Sequence, residues 1–206
     1  MNFAEYNVKD ANLEEVLLAL KSLDTVEAVA LGGSRSTGAS DENSDYDIYV
    51  YCVEIPTAET RENLLGKYCS IAEFGNHYWE SEDNTVMNNG VPVDIIYREV
   101  DRFGRYIDTV IKGGKAFNGY TTAFWHNIKN SKVLFDKTGT FTKFRDMAQI
   151  DFPENLRSAI IKNNRNLMNG KLPSYDRQIK KAQERGDIVS VNHSQKTGQK
   201  RNGWKS

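Results

Sequence analysis

Apolar positions in the first third of the chain follow a helical spacing and then a strand-like one. Leucine and valine recur every three or four residues over about 13–23, which predicts a short amphipathic helix with Asn12 as its N-cap. The apolar runs 26–31 and 46–53 have the length of buried strands. A second helix is predicted over about 57–72, with Thr57 as its N-cap. The predicted order is therefore helix, strand, loop, strand, helix.

The turn sequence Asn88-Asn89-Gly90 predicts a β-hairpin in the middle of the chain. We expect its first strand near 78–82 or slightly later and its second strand over 91–98. Alternate apolar residues of the second strand share one face, which leaves Asp94 on the other face. The later periodicity predicts a helix from Val100 to the glycines at 113–114, a helix over 121–130, a strand over 132–135 and a turn over 136–139.

From residue 151 onward the apolar spacing is helical only. We therefore expect an α/β (α+β) fold, with a mixed β-sheet flanked by helices over 1–150 and a short helical domain over 151–193. Residues 194–206 contain one large apolar side chain, Trp204. Burying it cannot offset the conformational entropy of thirteen ordered residues, so a disordered basic tail is expected there.

Composition and charge exclude several classes of protein. Of 206 residues, 39% are hydrophobic and 27% are charged, which is typical of a globular chain and not of a disordered one. The stretch 194–206 holds four of the 27 basic residues and none of the 28 acidic ones, so the rest carries a net charge of −5. Such an acidic body argues against a nucleic-acid partner.

The ends of the chain and its cysteines add three expectations. No basic and apolar leader precedes the first helix, and no apolar run has the length of a membrane span. A cytoplasmic protein without membrane contact is therefore expected. Cys52 and Cys69, with three scattered histidines, match no zinc spacing and no disulfide framework, so buried thiols are expected.

Carboxylates are concentrated on one face of the strand predicted over 46–53. A strand period of two places Asp45 and Asp47 on the same face, together with Tyr49 and Tyr51. Two neighbouring carboxylates repel each other unless a cation neutralises them, and a divalent metal with oxygen ligands does so most simply. Asp94, alone in an apolar strand, also needs a partner.

Three familiar ligand-binding motifs do not fit the stretch 31–51. It lacks the Gly-Lys-Ser/Thr of a P-loop and the glycine spacing of a dinucleotide fingerprint. An EF-hand register that starts at Asp41 fails because Tyr46 stands at the glycine position and Cys52 at the glutamate position.

The order Gly33-Ser34, Asp45-x-Asp47 and Asp94 resembles the DNA polymerase β-type nucleotidyltransferase superfamily, and in particular its small bacterial, aminoglycoside nucleotidyltransferase-like members. The resemblance is specific over about 26–98. It is weaker at 135–139 and over 153–193. It implies that Gly33 and Ser34 bind the nucleotide, that Arg35 offsets its charge, and that Asp45, Asp47 and Asp94 are the catalytic carboxylates and the ligands of two Mg²⁺ ions.

The function implied by this resemblance is the transfer of a nucleoside monophosphate, most simply AMP from ATP, to a hydroxyl group of a small molecule such as an antibiotic. The expected partners are the nucleoside triphosphate and the acceptor, and a homodimer is allowed. Two alternatives stay open. One is transfer to a protein or an RNA, as in toxin–antitoxin nucleotidyltransferases. The other is a nucleotide-binding protein without turnover, which a helical end that looks shortened would favour.

Overall fold

The computed structural model describes residues 8–38, 41, 44–78, 80–117, 121–169 and 174–193. Two compact units make up the chain. The first comprises residues up to 108 together with 123–150, and the second comprises 109–122 together with residues from 151 onward. The tail predicted over 194–206 lies outside the described residues.

Six strands form one mixed sheet in the first unit. They are β1 (Val26–Leu31), β2 (Tyr46–Cys52), β3 (Cys69–Asn76), β4 (Ser81–Met87), β5 (Pro92–Glu99) and β6 (Lys132–Asp136). Their spatial order is β3-β4-β5-β2-β1-β6. The central pair, β2 and β5, is parallel, whereas every other pair is antiparallel. The mixed sheet expected from the sequence is confirmed.

The described residues also contain eight helices with defined bounds, a 3₁₀ turn at Gly66–Tyr68 and a further helical stretch over 188–193. The eight helices are α1 (Ala11–Lys21), α2 (Gly33–Thr37), α3 (Ala58–Leu65), α4 (Val100–Ile111), α5 (Ala123–Asn130), α6 (Thr140–Ala148), α7 (Glu154–Asn169) and α8 (Tyr175–Glu184). Within the described ranges, none of these helices combines the length and the apolarity that crossing a lipid bilayer requires.

The sheet is covered on both faces, which explains why β2 is apolar on both sides. One face packs Ile48 and Val50 against the buried leucines and valine of α1. On the other face, the Tyr51 ring lies 5.4 Å from the rings of Phe103 in α4 and Phe141 in α6. A central strand buried on both faces is expected to be almost continuously apolar, so the two aspartates at the start of β2 are exceptions that need an explanation.

The structure corrects two helix boundaries. Asp10, not Asn12, caps α1, because its carboxylate accepts hydrogen bonds from the backbone N–H groups of Asn12 and Leu13. The helix predicted over 57–72 does begin after Thr57, whose hydroxyl accepts from the N–H of Thr60, but it ends at Leu65. The chain then enters β3, where Ile71, inside the predicted helix range, is 65% exposed.

Further along the chain, one strand lies later than its first expected position and one helix was missed. The hairpin strand expected near 78–82 or slightly later is β4, which starts at Ser81. Helix α6 was not predicted, although Phe141, Phe144 and Ala148 are buried at helical spacing. Cys52 is buried, whereas Cys69 is only partly buried, and both thiols are free.

The second unit contains α7 and α8, which confirms that the C-terminal part is helical. Gly114 adopts a φ of +60°, and a Cβ atom there would lie 2.4 Å from the amide nitrogen of Asn155. The side-chain amide of Asn163 donates to the carbonyl of Ala116. These contacts attach residues 114–117 to α7 within the second unit.

Candidate functional site

Strand register brings the candidate carboxylates onto one face of the sheet. In the parallel pairing of β2 with β5, Asp47 lies directly opposite Asp94. Residues that are paired in this way point to the same side of the sheet, and Asp45, two residues before Asp47, shares that side. Asp45 is exposed, while Asp47 and Asp94 are half-buried. The grouping expected from the sequence is therefore present at the level of the backbone.

The charges of this group disfavour one another. Burial of the Asp47 carboxyl, followed by the negative charges of Asp45 and Asp94, raises the pKa of Asp47 from 3.8 to about 6. Among the described residues, however, no three His, Cys, Asp or Glu side chains stand together in an arrangement ready to hold a metal ion. The donor set suits a hard divalent cation chemically, but the side chains would have to move together to bind it.

Gly33 forms the opposite wall of the site, directly after β1. The backbone N–H of Gly32 donates to the carbonyl of Asp47 at 2.8 Å, which fixes the corner against β2. A Cβ atom on Gly33 would lie 1.7 Å from Oδ2 of Asp47, and Gly33 adopts a φ of +60°. Only glycine fits such a position. The Gly-Ser corner and the Asp47 carboxylate are therefore in direct contact.

Arg35 is held by the loop that leads into β2. Its Nε atom donates to the carbonyls of Ser44 and Asp45, each at 3.0 Å. Its guanidinium also lies over the ring of Tyr46, 4.0 Å from the centroid. In this arrangement Arg35 braces the backbone of Asp45. Its assignment to nucleotide binding stays a prediction, as do the roles of Gly33, Ser34 and the three aspartates.

A small polar pocket of about 240 Å³ lies beside the Gly-Ser corner. One wall is α2, through Gly33 and Ser34. The other wall is α5, through His126, Asn127 and Asn130. The position of α5 beside this corner was not predictable from the sequence, because the contact depends on tertiary packing. The pocket adds hydrogen-bonding side chains from α5 to the candidate site.

A larger cavity of about 660 Å³ lies around the C-terminal end of β5. Arg98 forms part of its wall and pairs with Glu80 at 2.8 Å. The guanidinium of Arg98 also lies over the rings of Tyr49, Phe103 and Phe124, between 4.3 and 4.8 Å from their centroids. Arg98 follows Asp94 by four residues on the same face, so about 13 Å of strand separates the cavity from the carboxylates.

Aromatic side chains, which can stack on a nucleotide base, differ in their positions in the structure. Trp125 is 5% exposed and donates from its indole nitrogen to the carbonyl of Ala148, so it belongs to the core. Tyr49 accepts a hydrogen bond from the amide of Asn127. Tyr78 is 76% exposed, and Phe124 lies in the wall of the larger cavity. Trp79 lies outside the described residues.

Sequence reasoning missed the amide of Asn84, which donates to Oδ1 of Asp94 at 2.9 Å. A usable signal was present. Asn84 and Asp94 each lie five residues from Asn89, the centre of the predicted hairpin turn, and the pairing of β4 with β5 places them opposite each other. Counting outward from the turn would have found this neighbour.

Comparison with known protein families identifies a domain in this chain. Residues 13–117, which are just over half of the chain, match the family of the nucleotidyltransferase domain. The matched range contains most of α1 and the strands β1 to β5, with all six candidate site residues. No curated protein matches the chain. On the family match, the chain belongs to the nucleotidyltransferase domain family.

Proposed function

We propose that this protein transfers a nucleoside monophosphate, AMP from ATP, to a hydroxyl group of a small molecule such as an antibiotic, and that the reaction depends on Mg²⁺. One observation carries the proposal. Asp47 and Asp94 lie directly opposite each other on parallel strands, and Asp47 contacts Gly33 at the corner that follows β1. Carboxylate oxygens therefore lie beside a glycine corner, the combination that a Mg²⁺-bound triphosphate would need.

In the proposed reaction, the acceptor oxygen forms a bond to the α-phosphorus, the bond from that phosphorus to the bridging oxygen breaks, and pyrophosphate leaves. Two Mg²⁺ ions, when bound, would stabilise the charge on the entering and leaving oxygens. Asp45 and Asp47 would hold both ions, and Asp94 would hold one. Asp94 would also accept the proton of the acceptor hydroxyl. Gly33 and Ser34 would contact the phosphate oxygens.

The two cavities suggest where the substrates lie. The small polar pocket between α2 and α5 adjoins Gly33 and Ser34, so we assign the triphosphate to it. The larger cavity lies around the C-terminal end of β5, where Arg98, Tyr106 and Phe124 form a mixed polar and aromatic wall. We assign the acceptor to this cavity. An acceptor that fills it and reaches Asp94 would have to span about 13 Å, the length of four strand residues.

One observation favours the second candidate, a nucleotide-binding protein without turnover. The described carboxylates are not gathered into a metal-ready group. If they do not converge when a nucleotide binds, the protein would bind the triphosphate without activating it.

Calorimetric titration of the protein with ATP, with and without Mg²⁺, tests the binding half of the proposal. We expect binding that requires Mg²⁺ and that Asp47→Asn abolishes. Asp24→Asn is the matched control, because Asp24 is an exposed carboxylate in the turn between α1 and β1. Equal binding by Asp47→Asn and the wild type would remove Asp47 from the site.

Pyrophosphate release in the presence of ATP, Mg²⁺ and a panel of hydroxyl-bearing compounds separates the two candidates. Release that depends on one acceptor supports transfer. Mg²⁺-dependent ATP binding without release with any acceptor, including protein and RNA, would favour the binding protein.

A further inference from the structure

The amide of Asn84 contacts the candidate site from β4, the strand next to β5. A carboxylate only accepts hydrogen bonds, so the contact of 2.9 Å to Oδ1 of Asp94 requires the amide nitrogen of Asn84 to face Asp94. Its Oδ1 then points away, and it accepts a hydrogen bond of 2.7 Å from the amide of Asn76. Each amide therefore fixes the orientation of the next group, in the order Asn76, Asn84, Asp94.

A bulge in β3 brings Asn76 to this position. The pairing of β3 with β4 is irregular between Glu73 and Asn76, and Gly75 within this stretch adopts a φ of +82°. A bulge changes the direction of the side chains that follow it. Asn76 pairs with Glu82 in the register and reaches diagonally to Asn84.

The bulge is itself fixed from the opposite face of the sheet. The N–H of Gly75 donates to Oδ1 of Asp83 at 2.8 Å. Asp83 is fully buried and forms a two-pronged ion pair with Arg61, with contacts of 2.9 Å. Arg61 donates in turn to the carbonyl of Pro56. Two consecutive residues of β4, Asp83 and Asn84, thus hold the bulge on one face and the carboxylate on the other.

We propose that Asn84 is a positioning residue for Asp94, with Asn76 fixing the orientation of its amide. The inference rests on the proposed function, since Asp94 matters only if it takes part in binding Mg²⁺. Asn84 occupies one carboxylate oxygen of Asp94. Among the described residues no second hydrogen bond reaches this carboxylate, so its other oxygen is left for the cation or for the hydroxyl proton. A fixed amide of this kind holds a metal ligand in one orientation.

The test measures ATP binding over a series of Mg²⁺ concentrations for the wild type, Asn84→Ala, Asn76→Ala and the double variant. Asn84→Ala is expected to raise the Mg²⁺ concentration for half-maximal binding about 10–100-fold, the usual effect of losing a partner of a metal ligand. Asn76→Ala should shift it less, in the same direction. Because Asn76 acts through Asn84, the double variant should match Asn84→Ala.

Asn89→Ala is the matched control. Its amide also donates to a carboxylate, that of Asp10, at 3.1 and 3.2 Å, but at the exposed hairpin turn. The control should leave the Mg²⁺ dependence unchanged. A purely structural role for Asn84 would lower the melting temperature without changing the Mg²⁺ dependence, and that result would overturn the inference.

The outcomes separate the two proposals. If the wild type binds ATP with Mg²⁺ and Asn84→Ala does so at the same Mg²⁺ concentration, the inference about Asn84 fails and the proposed function stands. If the wild type shows no Mg²⁺-dependent binding, both fail. Should Asn84→Ala not fold, Asn76→Ala decides, because an unchanged Mg²⁺ dependence in that variant contradicts the chain of amides.

Discussion

Gly33 brings a backbone corner into contact with a carboxylate, and this contact can be tested by adding one methyl group. Gly33→Ala would place a Cβ atom 1.7 Å from Oδ2 of Asp47, in a backbone conformation that alanine adopts at a cost of about 1–2 kcal/mol. We expect the variant to displace the carboxylate and to lose Mg²⁺-dependent ATP binding. Calorimetric titration measures the binding, and a thermal melt measures the stability.

Gly38→Ala provides the control for this prediction. Gly38 follows the same helix with a φ of +78°, but apart from its chain neighbours no atom of the described residues lies within 4 Å of a Cβ placed there. Gly38→Ala should therefore have the same backbone cost as Gly33→Ala but keep ATP binding. Equal loss of binding in both variants would mean that backbone strain, and not the contact with Asp47, is responsible.

The environment of Asp47 leads to a second prediction, on how the stability of the metal-free protein changes with pH. Burial and the charges of Asp45 and Asp94 raise its pKa to about 6, above its ordinary value of 3.8. The folded state therefore holds more protons than the unfolded state between pH 4 and 6. Stability must then fall as the pH rises through this window. Asp47→Asn removes this effect.

We expect Asp47→Asn to melt above the wild type at pH 7.5 in the presence of a chelator and to match it near pH 4. The gain at pH 7.5 is about 1 kcal/mol after allowance for solvent screening of a partly exposed group, or roughly 2–4 °C. Asp24→Asn, which changes an exposed carboxylate in a turn, is measured alongside as the control variant. A constant difference between Asp47→Asn and the wild type from pH 4 to 7.5 would contradict the raised pKa.

The residues of the site were predictable to the extent that their arrangement is local. The period of a strand places Asp45 and Asp47 together, and the resemblance adds Asp94. The orientation of Arg35 was not predictable, because it depends on the carbonyls of a loop nine and ten residues away. The contact of α5 with the Gly-Ser corner depends on packing between distant elements, which no sequence period encodes.

At the level of the elements, β3 and α6 were not predicted, and the reasons differ. Strand β3 lies at the edge of the sheet and each of its residues is exposed or only partly buried, so no apolar alternation marks it in the sequence. The exposed Ile71 follows the half-buried Leu64 by seven residues, which equals two helical turns, so the sequence pattern predicts a continued helix there. Helix α6 follows Asp136, whose carboxylate accepts from the N–H groups of Phe141 and Thr142. That cap acts over five and six residues, beyond the distance at which a capping motif is recognised.

The buried ion pair of Arg61 and Asp83 fastens α3 to β4, and its loss is expected to affect the stability of the first unit. The two side chains are 3% and 0% exposed. Asp83→Ala would leave the guanidinium buried without a counter-charge, which costs about 3–5 kcal/mol. We expect the melting temperature to fall by roughly 6–20 °C.

Glu154→Ala gives the comparison, because it breaks the exposed pair of Glu154 with Arg157, whose side chains are 76% and 57% exposed. Such a pair contributes little, so this melting temperature should change by less than about 2 °C. If Asp83→Ala melts as the wild type does, the ion pair does not hold α3 to the sheet.

At the scale of the whole molecule, the fold was predictable because the central strands β1, β2 and β5 have a strong apolar pattern. In addition, the hairpin turn at 88–90 sets the register between β4 and β5. The division of the chain was harder to foresee. Residues 109–122 belong to the second unit, although they lie between the elements of the first. Their attachment depends on contacts such as that of Asn163 with Ala116, which join residues 47 positions apart.

This division predicts the behaviour of a chain that ends at Ile150. All six candidate site residues and Asn84 lie in the first unit, whose strands are complete in such a chain. We expect the shortened protein to fold and to bind ATP with Mg²⁺ within about a factor of two of the full chain. Residues 112–117 would lose their partners Asn155 and Asn163, so their amides should exchange with solvent faster, while the amides of β2 and β5 should stay protected. Hydrogen exchange measures both. Loss of ATP binding together with intact protection of β2 and β5 would mean that residues after Ile150 contribute to the nucleotide site, and would overturn its assignment to the first unit alone.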